Sequence, residues 1–186
     1  MNAIESHLDG ILLLKPVVFE DHRGFFFECF HKEKLAEAGI SMEFVQDNLS
    51  KSSKGTIRGL HFQQPPFQQG KLCQVISGTV LDVVVDIRRG SPTFGRHYST
   101  LLSEENHHQI WIPPGFAHGF SVLSDIAIFH YKCTGFYNKD SERTLLYNDP
   151  QLGIDWKVET GIVSPKDVQG VPLGQLDTQF VYKARQ

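Results

Sequence analysis

Cys73-Gln74-Val75-Ile76-Ser77-Gly78-Thr79-Val80-Leu81-Asp82-Val83-Val84-Val85-Asp86-Ile87 is an apolar run broken by one glycine. Gly78 marks a turn or bulge. Beyond it, alternation at period two sends Thr79, Leu81, Val83, Val85 and Ile87 to one face of a strand and Val80, Asp82, Val84 and Asp86 to the other. The first face reads as core. The second sets two carboxylates among valines, which fits either a barrel with a partly polar interior or a side open to solvent.

Similar short runs, bounded by Gly and Pro turns, lie at Gly24 to Phe30, Phe44 to Ser50, Tyr98 to Leu102, Gln109 to Ile112 and Ala127 to Thr134. Their spacing is that of a sandwich or barrel and predicts an all-β fold, a jelly-roll β-barrel with short peripheral helices. The helix-like stretch is His31 to Ala38, with Lys32, Glu33, Lys34 and Glu37 on its polar side and Gly39 placed to end it. We expect it on the surface. From Asp140 onward the chain turns polar and irregular, as loops wrapped on a barrel would.

The 186 residues, 40% hydrophobic, are enough to bury a full core, and one domain over 1–186 is the expectation. The net charge of −3, with scattered cations, argues against nucleic acid or an anionic membrane as a partner. The apolar run Ile11 to Leu14 is too short, and its flank too acidic, for a signal peptide or membrane span, so a cytoplasmic location is expected. Cys29, Cys73 and Cys133 form no CxxC pair and suggest neither disulfides nor a zinc site.

Chemistry concentrates just before the apolar run, in Arg58-Gly59-Leu60-His61 and Gln69-Gly70-Lys71-Leu72. An imidazole between two cations suits removal of a proton from carbon beside a carbonyl, with a cation facing the developing negative charge. Strict alternation puts Arg58 and His61 on opposite strand faces. They share a pocket only if the chain bulges near Gly59, which glycine permits. Pro113-Pro114-Gly115-Phe116-Ala117-His118 is similar to the second half of the cupin metal pattern, but His61 is followed by Phe62 and Gln63 rather than a second His. A catalytic transition metal needs about three protein ligands, so neither a metal nor another cofactor is expected.

Nearly the whole chain resembles the dTDP-4-dehydrorhamnose 3,5-epimerase family. The resemblance runs through Asp21-x-Arg23-Gly24-x-Phe26-x-Glu28, Gln46-Asp47-Asn48-x-Ser50, the two segments around His61 and Lys71, Asp82-Val83-x-Val85-Asp86-x-Arg88, Ser91-Pro92-Thr93, Pro114 to Phe120 and Tyr131 to Tyr137. It implies a cupin-type barrel and epimerisation of a dTDP-4-keto-6-deoxy sugar at C3 and C5, with His61 as base, Asp167 as its partner, Lys71 near the C4 oxygen and Tyr131 as acid on the far face. An Asp at one imidazole nitrogen fixes the tautomer and stabilises the imidazolium. Pro165 departs from the family's usual residue just before Lys166-Asp167. The resemblance further assigns Arg23, Glu28, Gln46, Asp47, Asn48, Arg58, His118, Glu142 and Lys166 to substrate binding, and Tyr137 to stacking on thymine. Some of these come from a neighbouring subunit in the family, which implies a homodimer.

The rivals are an epimerase acting at C3 or C5 alone, a metal-dependent cupin and a non-catalytic sugar-nucleotide binder. Metal analysis separates the second, and a binder needs no paired base and acid.

Overall fold

The computed structural model describes residues 2–184, so residues 1, 185 and 186 of the expected domain lie outside it. In chain order the strands are β1 (Asn2–Glu5), β2 (Leu12–Lys15), β3 (Phe19–Asp21), β4 (Gly24–Phe26), β5 (Gln46–Ser53), β6 (Thr56–Gln63), β7 (Lys71–Ser77), β8 (Thr79–Asp86), β9 (His97–Ser103), β10 (Gln109–Ile112), β11 (Phe116–Val122), β12 (Ile126–Cys133), β13 (Glu142–Thr144) and β14 (Ile162–Val163). The helices are α1 (Lys32–Glu37) and α2 (Pro165–Val168). One sheet runs β1-β2-β10-β7-β12-β5 and the other β13-β6-β11-β8-β9, with β14 added to β6. Every pairing between these strands is antiparallel except β14 with β6. The all-β expectation is met.

The two sheets close over a core in which the even face of β8 points inward. Val80 and Val84 pack there with Cys73 and Val75 of β7, Phe116 and Phe120 of β11, and Phe129 of β12. Phe120 and Phe129 stack across the sheets with centroids 4.3 Å apart. The odd face of β8 is equally dry. Leu81, Val83, Val85 and Ile87 are covered by Leu145, Leu152 and Trp156 of the C-terminal segment, at roughly 1.5–3 kcal/mol for each aliphatic side chain so buried. Trp156 is fixed by its Nε1–H to the Tyr147 carbonyl, and its own carbonyl accepts from Ser121 Oγ. The tail therefore does wrap the barrel, although it also contributes β13, β14 and α2.

Of the two alternatives for Asp82 and Asp86, the polar interior is the correct one, because both are 0% exposed. Asp86 accepts from the Arg88 guanidinium at 2.9 and 2.7 Å, from Ser91 Oγ at 2.6 Å and from Thr93 Oγ1 at 2.7 Å. Burial pushes its carboxyl up, but these donors outweigh it and hold the pKa below its ordinary 3.8. Asp86→Ala should therefore cost about 3–5 kcal/mol in urea unfolding at neutral pH, because Arg88 is left largely buried without its partner. A carboxyl with a lowered folded pKa stabilises above its unfolded value and loses that contribution as pH falls through the folded one. The gap between wild type and variant should accordingly close only below about pH 4.

Helix α1 lies outside the first sheet. His31 caps it, and Leu35 anchors it among Leu12, Leu14, Leu72 and Trp111. Gly39 takes φ +87°, which lets the chain leave the helix. The strand expected over Gly24 to Phe30 is shorter, because only Gly24–Phe26 pairs, with β3, in an exposed hairpin. Phe27 instead packs beside His107.

Candidate active site

Strand β6 carries the bulge that the sequence requires. His61 is opposite His118, but Arg58 is opposite Phe120, so β6 holds one residue more than β11 over this interval. Gly59 makes this possible. It takes φ +125°, and a Cβ on it would come within 2.5 Å of the Gly119 Cα. As a result Arg58 and His61 both line an interior cavity of about 190 Å³, together with Lys71, His118, Phe129 and Tyr131.

The imidazole of His61 is held from behind. Asp167 Oδ1 lies 2.6 Å from His61 Nε2, and Oδ2 accepts from the Gly59 N–H at 3.2 Å. Asp167 is 2% exposed and rides on α2, whose Ser164 cap accepts the Asp167 N–H. Pro165 is at the start of that helix, where its missing N–H costs nothing and its fixed φ favours the turn. The departure from the family's usual residue thus leaves the carboxylate in place. Burial pushes the Asp167 carboxyl up, yet the His61 bond and charge, with Gly59 and Ser164, bring it below the ordinary range. It stays ionised at neutral pH. Nε2 being engaged, Nδ1 is the nitrogen of His61 left to take a proton.

Tyr131 and Lys71 come from the opposite sheet, on the adjacent strands β12 and β7. Lys71 Nζ lies 5.9 Å from the Tyr131 ring centroid. Burial above all pushes the phenol up to about 12, so it remains a proton donor throughout the neutral range. Arg58 donates from Nε to Ser52 Oγ at 3.0 Å.

A second, outer hollow of about 130 Å³ adjoins this cavity, where His61, Lys71 and Tyr131 meet Gln46, Asn48, Gln63, Gln69, Tyr137 and Glu142. Glu142 accepts from the Tyr137 hydroxyl at 2.9 Å and pairs with Lys166 at 2.5 Å. Base, cation and phenol therefore stand where an inner and an outer chamber join.

Four expected binding residues are placed otherwise. His118 is at the back of the inner chamber, bonded through Nε2 to Asp82 Oδ2 at 2.8 Å, so it faces the reacting end and not the Tyr137 end. Burial lowers its pKa and keeps it neutral. Asp47 lies between Gln46 and Asn48 on β5, and alternation turns it to the other face, where it pairs with Lys132 and His130. Arg23 is on the β3–β4 hairpin, paired with Asp21, and Glu28 pairs with Lys34; neither lines the two chambers. A wider hollow of about 470 Å³ lies at that hairpin among Phe19, Arg23 and Phe25, but no imidazole or phenol lines it. Gln63 and Gln69 line the outer chamber without having been singled out. The signal for Gln63 was its place two residues from His61 on the same strand face. Among the described residues no three His, Cys, Asp or Glu side chains group as a metal site.

Comparison with known proteins gives a consistent result. Residues 5–175 match the dTDP-4-dehydrorhamnose 3,5-epimerase family. A curated relative of that name from Shigella flexneri is 51% identical over 171 residues, covering 91% of this chain and 94% of its own length. The crystal structure of dTDP-6-deoxy-D-glucose-3,5-epimerase from Legionella pneumophila Philadelphia 1, in complex with dTDP-4-keto-L-rhamnose, superposes with a TM-score of 0.94. It is 48% identical and covers 98% of this chain and 99% of its own. A 3′-monoepimerase from Streptomyces bikiniensis in complex with dTDP-quinovose is more distant, at 32% identity and a TM-score of 0.87, covering 91% of this chain and 87% of its own.

Proposed function

The chain belongs to the dTDP-4-dehydrorhamnose 3,5-epimerase family, and from that premise we propose how its site converts dTDP-4-dehydro-6-deoxy-D-glucose to dTDP-4-dehydro-L-rhamnose. The C4 ketone makes hydrogen at C3 and at C5 acidic. His61 removes each proton in turn through Nδ1, and the ionised Asp167 at Nε2 stabilises the imidazolium that results. Lys71, with Arg58 beside it, faces the oxygen on which enolate charge develops. Tyr131 returns a proton on the opposite face of the ring, which inverts the carbon, and proton exchange with solvent resets His61 to the neutral imidazole and Tyr131 to the phenol before the second carbon reacts. The observation that carries this reading is that His61, backed by Asp167, lines one chamber with Tyr131 and Lys71.

The outer chamber receives the nucleotide. Tyr137 is 55% exposed and free to stack on the base, Gln46 and Asn48 offer donors to the nucleoside, and Lys166, which does not line this chamber but pairs with its Glu142, offers one to the diphosphate. The hairpin that carries Arg23 exposes Phe19, Phe25 and Phe26 by 63%, 59% and 66%. An exposed apolar arm bearing expected binding residues away from their own site fits a homodimer in which the arm completes the partner's site. No helix among the described residues is long and apolar enough to cross a membrane.

The test is incubation with dTDP-4-dehydro-6-deoxy-D-glucose in heavy water, followed by NMR. Deuterium should enter at both C3 and C5 as product forms. Exchange at only one carbon would overturn the double epimerisation in favour of a mono-epimerase, the reaction named for the Streptomyces bikiniensis structure.

A further inference from the structure

Consecutive backbone groups of the loop between β12 and β13 end on glutamine side chains. The Gly135 carbonyl accepts from Gln69 Nε2 at 2.7 Å, and the Phe136 carbonyl from Gln63 Nε2 at 3.2 Å. The Tyr137 N–H donates to Gln46 Oε1 at 2.9 Å, and the Asn138 N–H to Gln63 Oε1 at 2.8 Å. Gln63 also donates to the Phe67 carbonyl at 2.6 Å. Its amide thus ties the loop on both sides of Tyr137 to the segment after β6, and it does so while only 4% exposed.

We propose that Gln63 is a positioning residue that holds the 135–138 loop so that the exposed Tyr137 ring stands ready for the nucleobase. The inference rests on the reading of Tyr137 as the base-stacking residue. The physical ground is preorganisation: a loop ordered before binding spends less of the binding free energy on its own immobilisation. Gln46 and Gln69 hold the loop at one point each, whereas Gln63 holds it on both sides of Tyr137, and the hydroxyl partner Glu142 is on the short strand β13, itself paired to β6 with Glu142 opposite Gln63. Gln63 also shares a strand face with His61, about 7 Å along β6, so one strand sets the distance from the nucleobase clamp to the base.

The experiment is Gln63→Met, which conserves volume and removes both hydrogen bonds from residue 63 to the loop while leaving those of Gln46 and Gln69, read by steady-state kinetics and by calorimetric titration with dTDP. We expect KM for the nucleotide sugar and Kd for dTDP to rise about 10-fold, the size of one or two lost hydrogen bonds, while kcat falls less than about twofold. If that variant does not fold, Gln63→Glu is the substitute: it keeps an acceptor for the Asn138 N–H, loses both donors, and should show the same split. A fall in kcat with KM and Kd unchanged would overturn the proposal, as would no change in any of them.

Tyr137→Ala separates the proposal from its premise. If Tyr137→Ala binds dTDP as tightly as wild type, the stacking reading fails and the proposal with it. If it binds more weakly, adding Gln63→Met should weaken binding by less than about twofold more, because the loop then has no ring to position. Full additivity in the double variant would overturn the role of Gln63 alone.

Discussion

His61→Asn is expected to lower turnover by about 10²- to 10⁴-fold, the range over which a positioned general base acts, while dTDP binding stays nearly intact. Asparagine is the informative choice because Asp167 is 2% exposed, and an alanine at 61 would leave that carboxylate with little beyond the Gly59 N–H and the Ser164 hydroxyl. A side-chain amide can still donate to Oδ1 and spare the fold a buried unpaired charge, but it cannot take a proton from carbon. Hydrogen at C3 and C5 should cease to exchange with solvent along with product formation. A variant that keeps more than about a tenth of the wild-type rate would remove His61 from the role of base.

The features that alternation and glycine geometry control were legible in the sequence. Period two along β8 marked both faces, and the conflict between Arg58 and His61 required a bulge at Gly59, which β6 has opposite β11. The same rule, applied to Gln46-Asp47-Asn48, turns Asp47 away from the chamber that Gln46 and Asn48 line, because three consecutive strand residues cannot all face one pocket. Other features depended on contacts distant in sequence. Nothing local reveals that the odd face of β8 is covered by Trp156, or that Asp167 reaches across more than a hundred residues to His61. Strand β11 was hidden in a turn-like motif, since Gly115 and Gly119 suggest loop whereas Phe116–Val122 is fully buried. Strand β5 begins at Gln46 and not at Phe44, because Phe44 turns its ring onto Trp111, with centroids 5.8 Å apart.

Tyr131→Phe should separate removal of the proton from inversion of the carbon. The variant keeps the ring and its packing beside Phe129, Cys73 and the Lys71 ammonium, so the chamber retains its shape and only the hydroxyl is lost. His61, Asp167 and Lys71 remain able to form the enolate. With the phenol at about 12, wild-type Tyr131 is protonated at neutral pH, so what the variant loses is a donor and not a base. An enolate without a donor on the far face is reprotonated from the His61 imidazolium, on the face it came from. Substrate hydrogen should therefore still wash out into heavy water at one or both carbons, because the imidazolium exchanges its proton with solvent. Formation of the L-configured product, trapped by a downstream reductase, should fall by roughly 10²-fold or more. Equal losses in exchange and product would show instead that the hydroxyl holds the sugar in place, since a positioning group is needed for both half-reactions and a donor only for the second.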